Sequence, residues 1–214
     1  MDSNFSLDTL KNRFNNDKRF KMGTYIVSGV LVLILAGLAY YQFIWKATND
    51  KSKDAYWKGL NYASKDSTNM AITELTKVKK KYDGYIGGEI AQFVLARQYM
   101  AKGEFKKAIK ELEESDLDGT FLEAMKLGLL ADCHSEMKDY KKAVENYLQG
   151  SEADVNEFTT PMYLYKAGLC CEKKLNDFKK ATEYYTKVRD EYPTYAQQIT
   201  IDKYIARASG KVVK

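Results

Sequence analysis

The sequence predicts an all-α protein: a short tail, one N-terminal transmembrane helix, then an α-solenoid of helix pairs with a C-terminal capping helix. Three observations carry this. Residues 22–45 contain no Asp, Glu, Lys or Arg. The rest of the chain is rich in Ala, Leu, Lys and Glu, holds only Pro161 and Pro193 as prolines, and lacks alternating Val/Ile/Thr runs. Beyond residue 52 a skeleton of small and aromatic residues recurs four times.

The uncharged run, Met22 to Trp45, is bracketed by Lys21 and Lys46. Its 24 residues would extend ~36 Å as a helix, enough to cross a hydrocarbon core of ~30 Å with some tilt. Tyr40, Tyr41, Phe43 and Trp45 gather at the far end, where amphipathic rings settle at a membrane interface. A cleaved signal peptide would have a shorter apolar core, ~7–15 residues, and small residues at its exit. Here the exit reads Ala39-Tyr40-Tyr41-Gln42-Phe43. A soluble core helix would carry a polar stripe, and this run has none.

Orientation follows from flanking charge. The tail supplies Lys11, Arg13, Lys18, Arg19 and Lys21, against Lys46, Lys51, Lys53 and Lys58 just after the run. Five against four, with Arg19 and Lys21 close to the helix, favours a cytoplasmic tail (1–21) and a large domain across the membrane. A cytosol-facing domain is the alternative. Residues 46–51 form a short linker, which would keep the domain near the bilayer.

Net charge is +5 over 214 residues, and beyond residue 45 there are 29 bases and 26 acids. Nucleic-acid binding needs a concentrated basic face, so this balance argues against it. Cys133, Cys170 and Cys171 are too few and odd in number for a disulfide framework, and read as small buried side chains. Pairing of Cys133 with Cys170, which occupy neighbouring repeats, would require a closer approach than packed helix axes usually give.

The recurring skeleton is Gly59-x-x-Tyr62 with Ala71-x-x-x-Leu75, then Ala96/Tyr99 with Ala108/Leu112, Ala131/His134 with Ala143/Tyr147, and Gly168/Cys171 with Ala181/Tyr185. The second-helix alanines lie 37, 35 and 38 residues apart. Phe105, Tyr140 and Phe178 follow the intervening turns. In a helix hairpin a small residue is needed where the second helix crosses the first, and a ring closes the turn. This pattern matches the tetratricopeptide repeat. The predicted units are about 52–84, 89–120, 124–156 and 161–193, making a repeat domain over 52–209. The first is degenerate, with Ser67 or Thr68 in the aromatic slot. The fourth has one extra residue before its turn, within Glu172-Lys173-Lys174-Leu175. Residues 195–209 read as one amphipathic capping helix.

No catalytic, cofactor-binding or metal-ligating pattern stands out. His134 fills a core slot held elsewhere by Tyr62 and Tyr99, and there is no nucleophile elbow, His-x-x-x-His or Cys-x-x-Cys. Gly84-Tyr85-Ile86-Gly87-Gly88 reads as a turn between helices. The sequence therefore predicts a non-enzymatic protein with no cofactor. What remains is an interaction surface. The first helices of such pairs line a concave groove, here assigned to Tyr56, Leu60, Ile90, Phe93, Arg97, Met100, Met125, Asp132, Met162, Tyr165 and Leu169. Its apolar, Met-rich lining suits adaptable protein contacts, unless the capping helix or a neighbouring side chain covers part of it. The convex face around Lys106, Lys107, Lys141 and Lys142 is the alternative interface. Phe93, Arg97, Gly128 and Asp132 replace the Lys and Asn pattern that clamps C-terminal carboxylates in chaperone-binding repeats.

Several stretches occur together with the anchor: Lys102-Gly103-Glu104-Phe105-Lys106-Lys107-Ala108-Ile109; residues 156–168, beginning Asn156-Glu157-Phe158-Thr159-Thr160-Pro161-Met162-Tyr163; and Asp202-Lys203-Tyr204-Ile205-Ala206-Arg207-Ala208. Over nearly its whole length the chain resembles the YfgM-like membrane-anchored repeat proteins, particularly those of Bacteroidetes. The resemblance implies a single-pass protein of the bacterial inner membrane with a periplasmic repeat domain. It further implies an ancillary subunit of the Sec translocon, with channel subunits and a PpiD-like periplasmic chaperone as partners. It brings no catalytic residue. The readings left open beside it are a cytosol-facing receptor for targeting sequences and a general envelope-assembly scaffold.

Overall fold

The computed structural model describes residues 7–117, 119 and 121–212. Residues 1–6 of the predicted tail, and 118 and 120 at the end of the second predicted unit, lie outside the described residues, as do 213 and 214. The chain divides into two compact units, Met1–Lys51 and Ser52–Lys214. Among the described residues all regular structure is helical.

In the first unit, α1 (Leu7–Asn16) is followed by α2 (Lys18–Tyr40). Asp17 caps α2: its carboxylate accepts from the Arg19 and Phe20 backbone N–H groups at 2.9 and 3.2 Å, satisfying two of the first-turn donors. Phe14 sits edge-on to Tyr25, with ring centroids 5.7 Å apart. After Tyr40 the helix loosens into a π turn, Tyr41–Trp45, where Tyr41 and Trp45 stack, and then runs on as α3 (Lys46–Ala55). Residues 46–51, predicted as a linker, are thus helical. No Gly or Pro occurs between Gly37 and Gly59 to break the helix. By length and composition this apolar helix is long enough to cross a membrane, and none of its most apolar stretch is buried.

The second unit stacks four helix pairs. These are α4 (Trp57–Ser64) with α5 (Thr68–Lys81), α6 (Ile86–Ala101) with α7 (Phe105–Glu114), α8 (Phe121–Glu136) with α9 (Tyr140–Ala153), and α10 (Thr159–Cys170) with α11 (Phe178–Glu191). The turns repeat as the alanines do. Asp66, Gly103, Lys138 and Asn176 each take a left-handed conformation, five residues before Ala71, Ala108, Ala143 and Ala181. Three turns close on the same bond: Ser67, Glu104 and Asp139 N–H groups donate to the Tyr62, Tyr99 and His134 carbonyls at 2.9–3.0 Å. The degenerate first repeat makes this turn without its aromatic. In the fourth, the extra residue is absorbed by a π turn, Cys171–Leu175, and the closing bond runs from Asp177 N–H to Cys171 C=O.

All four second-helix alanines are fully buried. In the first and fourth pairs the small residue of the first helix meets the bulky residue four beyond that alanine: a methyl on Gly59 would strike Leu75, and one on Gly168 the Tyr185 ring. Gly87 and Gly88, predicted as a turn, instead begin α6. A methyl there would land on the Ser52 or Tyr82 carbonyl, and the Gly87 N–H donates to Ser52 Oγ at 3.0 Å. Close backbone approach explains the pair.

The predicted capping helix over 195–209 is two helices, α12 (Pro193–Ile199) and α13 (Asp202–Val212). Thr200 is left-handed between them, and Ile201 N–H donates to Ala196 C=O at 3.0 Å. In one straight helix Ile199 and Ile201, two apart, could not face the same way; the break turns Ile201 into the core and lays α13 against α11. Two cores result, one around α5–α7 and one from α9 to α13. They share α8, which gives Leu130 and Cys133 to the first and Ala124 and Ala131 to the second.

Candidate protein-interaction surface

The residues assigned to the groove divide between solvent and these two cores. Phe93 is only 4% exposed and belongs to the N-terminal core, so it cannot line a surface. Tyr56, Leu60, Ile90 and Met100 are half-buried against that core; Tyr56 stacks on Trp57 with centroids 5.1 Å apart. Met162, Tyr165 and Leu169 are half-buried against the C-terminal core. Arg97 and Met125 are exposed.

Tyr165 is covered in part by the cap. Tyr204 of α13 packs edge-on to it at 5.0 Å, and Tyr185 lies 6.0 Å away. Burial, then the hydrogen bond with Tyr204, pushes the Tyr165 hydroxyl well above the usual phenol range. Asp132, predicted as a groove charge, is engaged inside the repeats. It accepts from the Tyr147 hydroxyl and from Lys166 Nζ at 2.9 and 3.1 Å. Burial first, then this bond to Asp132, raises the Tyr147 hydroxyl far above its ordinary value. The aromatic and acidic part of the predicted groove is thus largely committed to internal packing, because rings of the second helices and the cap, Tyr147, Tyr185 and Tyr204, reach it.

Three of the four second helices, α7, α9 and α11, open with two exposed lysines: Lys106 and Lys107, Lys141 and Lys142, Lys179 and Lys180. Glu104, Asp139 and Asp177 pair with one of each. A recess of about 400 Å³ lies beside the second turn, lined by Gly103, Glu104, Phe105, Lys106, Lys107 and Met137. Its apolar floor and basic rim belong to the convex alternative.

His134 is buried. Cys133, Cys170 and Cys171 are buried free thiols, and Cys133 and Cys170 belong to different cores. Among the described residues no group of three or more His, Cys, Asp or Glu is placed to hold a metal ion.

Sequence reasoning missed Lys166, which ties Asp132 down, and the pair Glu172–Arg207, whose charges meet across the cap. It also passed over Phe121 and Phe158, both strongly exposed; each lies one helical turn before a predicted groove methionine, which was the available signal.

A family described as tetratricopeptide repeat-like domain matches residues 18–154, and one described as tetratricopeptide repeat matches residues 163–195. Solved structures share the fold. A crystal structure of MamA protein is 20% identical, with a TM-score of 0.60 over 77% of this chain and 82% of that one. A second MamA structure is 18% identical, with a TM-score of 0.55 over 72% and 93%. A Podosopora anserina protein with nearly identical TPR-like repeats is 15% identical, with a TM-score of 0.59 over 76% and 87%. No curated protein sequence matches the chain.

Proposed function

Because this chain belongs to the tetratricopeptide repeat-like domain family, we propose that it is a non-enzymatic, membrane-anchored scaffold that grips protein partners through its repeats. The observation carrying this is that one family match, 18–154, takes in both the apolar helix and the first three helix pairs. Anchor and repeats then form one functional arrangement: the helix restricts the domain to a membrane surface, and the repeats capture what arrives there.

The more specific reading rests on the resemblance to YfgM-like proteins. The scaffold sits beside the Sec channel in the bacterial inner membrane, with its N-terminus in the cytoplasm and its repeats in the periplasm. There it positions an anchored, PpiD-like chaperone for emerging polypeptides. Immunopurification of the full chain from membranes in mild detergent tests this. Channel subunits and a membrane-anchored chaperone are expected; recovery of neither overturns the export reading. Orientation is tested separately by placing a cysteine in the Lys65–Thr68 turn. Labelling by an impermeant reagent in intact cells supports the periplasmic domain, whereas protection would support the cytosol-facing receptor.

A further inference from the structure

The most exposed large apolar side chains of the repeat unit, among the described residues, are Phe121 (70%), Val155 (69%) and Phe158 (68%). All three belong to one end of the third and fourth helix pairs. Phe121 precedes Met125 by one turn on α8, and Phe158 precedes Met162 by one turn at the start of α10, so each pair shares a helix face. Met125 is itself 37% exposed. The two helices pack against each other. A methyl on Gly128 of α8 would strike the Tyr163 ring of α10, and one on Gly150 of α9 would lie 3.2–3.3 Å from Ala124, Leu127 and Tyr163.

Local bonds fix the backbone of the loop before α10. Asn156 Oδ1 accepts from the Phe158 and Thr159 backbone N–H groups at 2.9 and 2.8 Å, and Asn156 N–H donates to Thr160 Oγ1 at 3.0 Å. The loop is therefore built to present Val155 and Phe158 to solvent. Exposed apolar side chains grouped at one end of packed helices mark interaction sites in folded proteins.

Charge identifies the occupant. No Lys or Arg occurs between Lys110 and Lys126, or between Lys142 and Lys166. The same two stretches hold ten acids, of which the described ones within five positions of Phe121, Val155 or Phe158 are Asp116, Glu123, Glu152, Asp154 and Glu157. Among the described residues none of these five carboxylates is ion-paired. We infer that this acid-edged apolar surface docks a basic amphipathic segment of a partner protein. Bulky apolar side chains of the segment would cover Phe121, Met125 and Phe158, while its Lys or Arg side chains meet Glu123, Asp154 and Glu157. The same carboxylates repel an anionic bilayer. The inference rests on the scaffold reading and supplies the chemistry of one partner.

The test uses the full chain in phosphatidylcholine nanodiscs, labelled with ¹³C at its methionine methyl groups. The probe is an amphipathic helical peptide with a Leu face and a Lys face; its control carries Glu in place of Lys. The Lys peptide should move the Met125 and Met162 resonances and leave Met70 and Met137 in place, and the Glu peptide should move neither pair. Phe121→Ser or Phe158→Ser should weaken binding about tenfold, equivalent to ~1.4 kcal/mol, with the other methionine resonances reporting an intact fold. Shifts confined to Met70, Met100 or Met137, equal binding of both peptides, or no shift at all would overturn the inference. So would Met125 and Met162 shifts on adding phosphatidylglycerol to the discs without peptide. If partners copurify undiminished with the Phe121→Ser/Phe158→Ser variant, this surface is refuted while the scaffold reading stands; loss of all partners from the unmodified chain refutes the scaffold itself.

Discussion

The Arg207 guanidinium of α13 is bonded to the carboxylate of Glu172, its Nη2 donating to Oε2 at 2.7 Å, and the Tyr185 hydroxyl donates to the same oxygen at 3.0 Å. Glu172 has no exposed side-chain surface. It lies in the π turn made by the extra residue of the fourth repeat, so the insertion that departs from the repeat pattern also creates the site that receives the cap. Burial acts to raise the Glu172 carboxyl, but bonds from Arg207 and Tyr185 outweigh it and hold the group below the usual carboxylate value.

Arg207→Ala should cost about 2–3 kcal/mol, because it leaves a buried carboxylate short of its charged partner. The pH dependence follows from the lowered value. The contribution is present above the unfolded pKa of ~4.3 and is lost as pH falls through the folded value. Urea midpoints measured from pH 7 to 3 should fall for the native chain. Glu172→Gln should start lower and lose less over that interval; equal slopes would refute the assignment.

Phe93 illustrates the difference between a repeat position and a surface. Phe93→Ala should destabilise the repeat unit by about 3–5 kcal/mol, the usual cost of truncating a buried Phe. Thermal melts should show the loss. A variant that keeps native stability while losing partner binding would return Phe93 to the groove.

The repeat skeleton was legible because close crossing demands small residues at fixed spacing, and Ala71, Ala108, Ala143 and Ala181 are indeed fully buried. The groove was less legible. Repeat register says which helix face a residue occupies, but the exposure left there depends on neighbouring helices: Phe93 is enclosed, Tyr165 is overlaid by Tyr204, and Asp132 is tied to Lys166. The cap broke into two helices because only a left-handed Thr200 turns Ile201 inward, and a Thr in that conformation has no strong sequence signal. Gly87 and Gly88 were visible as glycines, but only packing against Ser52 and Tyr82 distinguishes a close approach from a turn.

That close approach gives a sharp test. Gly87→Ala places a methyl on the Ser52 carbonyl, which is backbone and cannot rotate away. Destabilisation of about 3 kcal/mol or more is expected, at the upper end of overpacking costs. Gly84→Ala, three residues earlier, meets no neighbouring atom but has a positive φ, and should cost only about 1–2 kcal/mol. Equal losses for the two would contradict the close approach of Gly87 to the Ser52 carbonyl, since Gly87 itself has no positive φ.

The thiols provide the last prediction. Burial, followed by the nearby Asp132 and Glu136 charges, pushes Cys133 from 9.0 up to about 12. Burial, with Asp177 next, takes Cys171 to about 12 as well. Cys170 is also raised by burial, and its Sγ lies 3.6 Å from the Tyr140 carbonyl. A thiol moved from 9.0 to about 12 carries roughly a thousandfold less thiolate at neutral pH, and the thiolate is the nucleophile. Iodoacetamide should therefore leave all three cysteines unmodified in the folded chain and alkylate all three in denaturant. Under mild oxidation, Cys133 and Cys170 should stay reduced, because they pack in different cores on different helices. Mass spectrometry under native and denaturing conditions reads both outcomes. Fast native alkylation of Cys133, or a Cys133–Cys170 bridge formed without unfolding, would contradict the packing of α8 between the two cores.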